Sequence, residues 1–386
     1  APEILFFWVA RMIMAGYEFK GEKPFSNVYL TGIVRDKQGR KMSKSLGNSP
    51  DPFDLIEKYT ADGVRVGMLL SSPAGNDLLF DEKLCEQGRN FANKLWNAFR
   101  LVKGWEVIKG ENKANEIAIE WFENKFNQSL AEIEEHFSKY RISDALMTVY
   151  KLVWDDFCSW YLEMIKPEFG KPIDHTTYDK TIELLENVLK IVHPFMPFIT
   201  EEIWHEINER KEYECIIIAS YPDTFTCNKE LLLYSTHILD LITQIRNFRS
   251  SKGISPKDPL KLAAKEIKKD ELKIYLAKFK DILVKLGNIS EFNFVNDSLS
   301  GASSFISGSF EYYIPMEGKI DAEKERAELL KELEYLRGFL KSVEAKLSNE
   351  KFVANAKPEI IENERKKQAD AQAKIASIEK SLEVNV

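Results

Sequence analysis

The sequence predicts a mainly α-helical chain with an α/β portion at its N-terminal end. Apolar residues recur every three or four positions from Leu84 to Ile207, and Leu329, Leu333, Leu336, Leu340, Val343 and Leu347 alternate steps of four and three. Only the first 85 residues mix a helical pattern with a β-like run, Val28–Val34. A chain of 386 residues with 44% hydrophobic side chains, 18 Gly and 14 Pro has material for several cores, which excludes a disordered or collagen-like polymer.

Each segment has its own grammar. Residues 1–85 begin with an apolar stretch, Ala1–Tyr17, that reads as buried. They continue through the β-like run and a polar, glycine-bearing loop into a helical pattern from Asp54 to Leu70, an alternation of α and β signals. Arg11 interrupts the apolar stretch, so it resembles neither a signal peptide nor a membrane span of ~18 apolar residues. The simplest reading is a chain that starts inside a domain. Residues 86–227 read as a bundle of four or five long helices. Phe91, Leu95, Phe99 and Val102 mark one buried stripe, Leu146, Val149, Val153, Phe157 and Tyr161 another, and His193–Phe198 (HPFMPF) opens or kinks the last helix. Residues 228–319 start with a helix, Leu231–Phe248, and add short β-like runs, Phe292–Val295 and Phe310–Pro315, as a small mixed α/β domain would. In residues 320–386 the heptad seam breaks at Ser348–Pro358. It resumes through Ile361, Ala371, Ile375, Ile378 and Leu382, with polar Glu364 and Gln368 between, which predicts an antiparallel two-helix coiled-coil hairpin.

Charge and cysteine usage narrow the function classes. The net charge of −7 averages over a bundle segment with 16 basic and 25 acidic side chains and a first segment that is balanced. A uniformly basic footprint for non-specific nucleic-acid binding is absent, so any such contact must be local. Cys85, Cys158, Cys215 and Cys227 form no Cys-x-x-Cys pair and read as buried thiols in a reducing compartment. His193 and His205 have no Cys or His at ligand spacing, so no bound metal is expected. The carboxylate pairs Asp155–Asp156 and Glu201–Glu202 read as solvated or capping groups.

The sharpest motif is RDKQGRKMSKSLGN at 35–48, where Arg35, Lys37, Arg40, Lys41 and Lys44 face only Asp36. A basic loop after a strand can wrap polyphosphate: Lys41 and Lys44 supply point charges, and Ser43, Ser45 and loop amides donate hydrogen bonds. On charge alone, a solvated hairpin tip is the better explanation. The order Lys41-Met42-Ser43-Lys44-Ser45 is the KMSKS signature of class I aminoacyl-tRNA synthetases. With FFWVARM at 6–12, QGRNFANKLWN at 87–97, WYLE at 160–163, HPFMPF at 193–198 and KLSNEKFV at 346–353, the whole chain closely resembles the bacterial-type valyl-tRNA synthetases.

The resemblance implies the end of a Rossmann catalytic domain with a stem-contacting stretch at 1–85 and a helical anticodon-binding domain at 86–227. It further implies a connecting domain at 228–319 and a coiled-coil tRNA-binding arm at 320–386. The expected reaction of the full enzyme joins L-valine and ATP, as its Mg²⁺ complex, to valyl-adenylate and then to valine tRNA. Lys44, with Lys41, is expected on the ATP phosphates, and Met42, Ser43 and Ser45 complete the ATP loop. Trp8 matches the tryptophan that lines the valine pocket; a core aromatic beside Phe6 and Phe7 is the alternative. The family's His-Ile-Gly-His type motif occurs nowhere in these 386 residues, so the chain is expected to be inactive alone. Thr31 stands where many relatives carry His.

Unpaired bases are read by stacking and hydrogen bonds to their edges, for which Arg89, Asn93, Trp96, Asn97 and Arg100 supply the groups; a core helix with solvated charges is the alternative. On the arm, Arg337, Lys341, Lys366 and Lys367 are expected to meet tRNA phosphates unless the seam serves oligomerisation. The expected state is a cytoplasmic monomer without a membrane segment. Two competing readings remain: a non-catalytic tRNA-binding or helical interaction protein, and a synthetase for leucine, isoleucine or methionine.

Overall fold

The computed structural model describes residues 2–72, 77–268, 271–315, 322–348 and 358–384. It divides into two compact units, Ala1–Lys229 and Glu230–Val386.

The first unit starts with a π-helical turn at Leu5–Val9 that runs into α1 (Ala10–Lys20). Of the expected strand at 28–34 only Val34–Arg35 (β1) forms, paired in parallel with Leu78–Leu79 (β2). The apolar character of Val28–Val34 is therefore not matched by a ladder: Val28 and Tyr29 lie exposed. The apolar opening stretch differs from expectation in the same way. Phe6, Phe7 and Trp8 are 76%, 66% and 57% exposed, and of the turn only Val9 is buried, because no described element packs over their side chains.

The helical pattern of 54–70 resolves into α2 (Pro52–Tyr59) and α3 (Ala61–Leu70). Asp51 caps the first, with Pro52 supplying a φ suited to a first turn. Thr60 breaks the pair: its φ of +68° lies in a region that β-branched residues avoid, and its hydroxyl accepts the Gly63 N–H at 3.2 Å to start α3. α3 crosses α4 (Glu82–Lys103) at backbone distance. A Cβ on Gly67 would stand 2.6 Å from the Cys85 nitrogen, and one on Gly88 2.5 Å from the Gly63 carbonyl.

Around α4 pack α5 (Lys113–Ser138), α6 (Ile142–Lys151, continued by a π-helical stretch Leu152–Tyr161 into α7, Leu162–Ile165), α8 (His175–Val192) and α9 (Pro197–Ile207). A short parallel pair, β3 (Val107–Ile108) and β4 (Ile173–Asp174), ties the turns together. The stripe Phe91, Leu95, Phe99 and Val102 is buried. Phe122 stacks on Tyr161 at 4.9 Å, and the Tyr161 hydroxyl is satisfied by Thr181 at 2.9 Å, the pairing a buried polar group requires. The HPFMPF segment ends α8 and starts α9. Asp62 of α3 accepts the N–H groups of Phe198 and Ile199, while Arg65 donates to the carbonyls of Pro194 and Phe195.

In the second unit α10 (Lys229–Ser251) leads to β5 (Leu260–Glu266), α11 (Leu272–Lys278), α12 (Lys280–Gly287), β6 (Ile289–Val295), β7 (Ala302–Ser307) and β8 (Phe310–Pro315). The sheet order is β6-β5-β8-β7, with β5 parallel to β6 and antiparallel to β8. Buried Arg249 of α10 donates to the carbonyls of Ser255, Asp258, Gly287 and Asn288, so its charge is spread over backbone dipoles. Finally α13 (Ala322–Leu347) packs against α14 (Pro358–Val384) through Leu333, Ile375 and Ile378, flanked by Leu336, Leu340 and Leu382. Arg337 pairs with Glu379 and Lys346 with Glu364, so the two helices run in opposite senses. The polar interruption at Glu364 is buried between Lys346 and Lys367. Most of the expected break at 348–358, and Asn349–Val353 of the tail motif, lie outside the described residues.

Candidate nucleotide loop and nucleic-acid interface

Strand β1 delivers the loop. Arg35 is held by an ion pair to Asp77, whose carboxylate also accepts the Ile33 N–H at 2.9 Å. The chain then turns at Asp36–Arg40, with Gly39 at φ +76°, and returns so that Lys41 bridges Arg35 in antiparallel fashion. Asp36 is the organising group. It accepts the N–H of Gln38 and Arg40 at 3.0 and 2.9 Å, the Arg40 guanidinium at 2.7 Å and the Asn48 amide at 3.0 Å. These donors, Asn48 first, hold its carboxyl well below the usual carboxylate range. Asn48 closes the far end, accepting the Ser43 N–H at 2.9 Å and donating to the Lys41 carbonyl at 3.3 Å.

Within that clasp Ser43 caps a 3₁₀ turn, Lys44–Leu46, ended by Gly47 at φ +62°. Met42 packs against the cluster of Leu55, Tyr59, Leu78, Phe80 and Cys85 and anchors the loop, while Lys41, Lys44 and Ser45 remain exposed. Among the described residues neither Lys41 nor Lys44 has an ion-pair partner, whereas Lys37 is bound to Asp81 at 2.9 Å and Arg40 to Asp36. A cleft of about 570 Å³ lies behind the loop, lined by Asp36, Met42, Asn48, Tyr59, Phe80 and Glu82 among others. The arrangement presents two ammonium groups outward, beside a Ser45 hydroxyl that lies 3.1 Å from that of Ser43, a donor set suited to phosphate oxygens. Charge counting gives Asp36 only the role of an opposing charge and gives Asn48 none. The signal was there: Asp36-x-x-Gly39 is a side-chain-closed turn.

Trp8 lies with the Arg11 guanidinium 4.8 Å from its ring centroid. On α4, Asn93, Asn97 and Arg100 share an exposed stripe with Glu86 and Asn90. Trp96 leaves that stripe and packs on Phe99 at 5.3 Å. Arg89 turns towards α2: it pairs with Glu86 at 3.5 Å, donates to the Lys58 carbonyl and lies 5.8 Å from the Tyr59 ring. On the arm, Arg337 is engaged by Glu379 and Lys367 by Glu364 at 2.6 Å each, while Lys341 and Lys366 are exposed.

His193 bonds through Nδ1 to Thr200 at 2.8 Å, and burial pushes its pKa down. Asp156, unlike the solvated group expected, is largely buried 4.0 Å from Lys125. Desolvation raises its pKa to about 6 against the pull of that ammonium. Where no ligand set was expected, Glu201, His205 and Cys215 bring their donor atoms within 4.8 Å of one another.

Residues 2–81 match the family described as class I tRNA synthetases for I, L, M and V. Residues 120–264 match the anticodon-binding domain of tRNA ligase, and residues 321–384 the valyl tRNA synthetase tRNA-binding arm. Similar curated relatives are the valine–tRNA ligases of Christiangramia forsetii and Phocaeicola vulgatus, 55% and 53% identical over 99% of this chain and 43% of theirs. That of Chlorobaculum tepidum is 34% identical over 99% of this chain and 45% of its own. The chain thus spans less than half the length of the relatives it matches. Among solved structures, a ternary complex of the Agrobacterium radiobacter K84 leucyl enzyme with tRNA aligns at a TM-score of 0.42 and 15% identity. It covers 75% of this chain and 35% of its own.

Proposed function

We propose that this chain, which belongs to the valine–tRNA ligase family along 99% of its length, contributes the ATP loop and the tRNA-binding modules of that enzyme. The observation that carries the reading is the exposed KMSKS loop, with Lys41 and Lys44 unpaired, in a chain more than half identical to valine–tRNA ligases. In the whole protein, L-valine attacks the α-phosphate of ATP, supplied as its Mg²⁺ complex. Lys44, assisted by Lys41, neutralises the charge that grows on the departing pyrophosphate, the one term that lowers the barrier rather than merely binding ATP. Ser43 keeps the turn closed, Ser45 donates outward, Met42 anchors the loop, and Trp8 walls the amino-acid pocket. The acyl group then passes to the terminal adenosine of valine tRNA.

The division of labour in this reading is a catalytic-domain end with stem contacts at 1–85 and an anticodon-binding bundle at 86–227. A connecting domain follows at 228–319, then an arm at 320–386 in the form of a coiled-coil hairpin. Asn93, Asn97 and Arg100, with Arg89 and Trp96 at the edges, face the tRNA, and Arg337, Lys341, Lys366 and Lys367 supply the arm's charges. The working state is a cytoplasmic monomer. No helix among the described residues is long and apolar enough to cross a membrane.

Filter binding tests the assignment. The 386-residue chain is expected to hold valine tRNA about tenfold more tightly than leucine tRNA, a difference of about 1.4 kcal/mol. It is expected to show no valine-dependent ATP–pyrophosphate exchange. Equal affinity for the two tRNAs would overturn the choice of valine, and exchange by this chain would overturn the dependence on a longer protein.

A further inference from the structure

We propose that Glu201, His205 and Cys215 form a binding site for one transition-metal ion of the zinc class. Glu201 and His205 stand four residues apart on α9, so both side chains share a face, and Glu201 Oε1 already lies 3.0 Å from His205 Nε2. Cys215 comes from the loop after the helix, which two contacts fold back. The Trp204 indole donates to the Glu214 carbonyl at 3.0 Å, and the Arg210 guanidinium stacks 3.7 Å from the Trp204 ring centroid. The Ile216 N–H, donating to the Glu201 carboxylate at 3.3 and 3.2 Å, fixes the register of the loop against the helix.

All three donor atoms fall within 4.8 Å of one another. Zinc bonds of about 2.0 Å to nitrogen and oxygen and about 2.3 Å to sulfur require donors somewhat under 4 Å apart, so a side-chain rotation of Cys215 closes the set. One thiolate, one imidazole and one carboxylate neutralise a divalent ion and select zinc or cobalt over magnesium or calcium. The three residues are partly exposed, which leaves solvent access for water in a fourth position. On binding, the Cys215 thiol proton, now donated to the Glu212 carbonyl at 3.3 Å, passes to solvent as the metal–sulfur bond forms. The occupied site pins the 208–216 loop to α9. It is independent of ATP and of the Mg²⁺ that accompanies it.

The test uses the 386-residue chain with Co²⁺ and Zn²⁺ as probes. Co²⁺ is expected to give tetrahedral visible bands and a thiolate-to-metal band, both abolished in Cys215→Ser and His205→Gln. Zn²⁺ competition with a chromophoric chelator is expected to titrate one equivalent. If either variant fails to fold, the wild-type chain decides by itself. Zn²⁺ is expected to slow alkylation of Cys215 at least about tenfold, read by peptide mass spectrometry, and to leave Cys227 unchanged. Absence of chelator competition, a thiolate band that survives Cys215→Ser, or unprotected Cys215 would overturn the site.

Discussion

Asp36 accepts from two backbone N–H groups, a guanidinium and an amide, and through them sets where Lys41 and Lys44 stand. Replacing it by Ala removes the four hydrogen bonds that tie the turn to Arg40 and Asn48, and water takes over only part of their ordering effect. The loop is then expected to open more often, and trypsin to cleave after Lys37–Lys41 at least about tenfold faster. An unchanged cleavage rate would show that the loop's shape does not depend on Asp36. Asp156 makes the opposite electrostatic case. Burial raises its pKa from 3.8 to about 6, so between those values the folded chain binds a proton that the unfolded chain has released. Stability therefore falls as pH rises across that window, by on the order of 3 kcal/mol for the full shift. Asp156→Asn is expected to melt higher than the wild type above pH 6 and to lose the advantage below pH 4; parallel melting curves across that range would contradict this.

At the scale of elements, the crossing of α3 and α4 is set by glycines that no helical periodicity marks. Gly67→Ala gains up to about 1 kcal/mol of helix propensity but drives its new methyl group into the Cys85 backbone, and overpacking of this kind costs about 1–3 kcal/mol. The net expected effect is destabilisation by denaturant titration. Gly338→Ala on α13, where nothing lies within 4 Å, is expected to stabilise by about 0.5–1 kcal/mol. The same sign for both substitutions would refute the argument. The elements themselves were largely legible. The Leu231–Phe248 pattern became α10, the Phe310–Pro315 run became β8, and Leu333, Leu336, Leu340 and Val343 of the heptad series became the inward side of α13. Such patterns are local, since an amphipathic helix writes its buried face into its own spacing. The Val28–Val34 run departs from the expected strand because apolar content forms a strand only where a partner supplies the ladder, and only Val34 and Arg35 find one in β2.

At the scale of the whole molecule, the proposed function gives the arm a share of the affinity for tRNA that deletion can measure. Deleting 321–386 removes Lys341 and Lys366, both exposed in α13 and α14. If both meet phosphates, the logarithmic salt dependence of valine-tRNA binding becomes shallower by roughly 1.5–2, with weaker affinity. Equal affinity and slope, with a loss of self-association, would instead assign the seam to oligomerisation. By itself the sequence determined the mainly helical class, the position of the KMSKS loop and the resemblance to valyl-tRNA synthetases, because periodicity and short motifs are carried by neighbours in the chain. Tertiary structure alone decided which loop cations are free, that Asp36 and Asn48 clasp the loop, and that Arg89 leans towards α2. It also brought Cys215 to His205. Each depends on groups brought together by folding, and their separation in sequence holds no record of the distance in space.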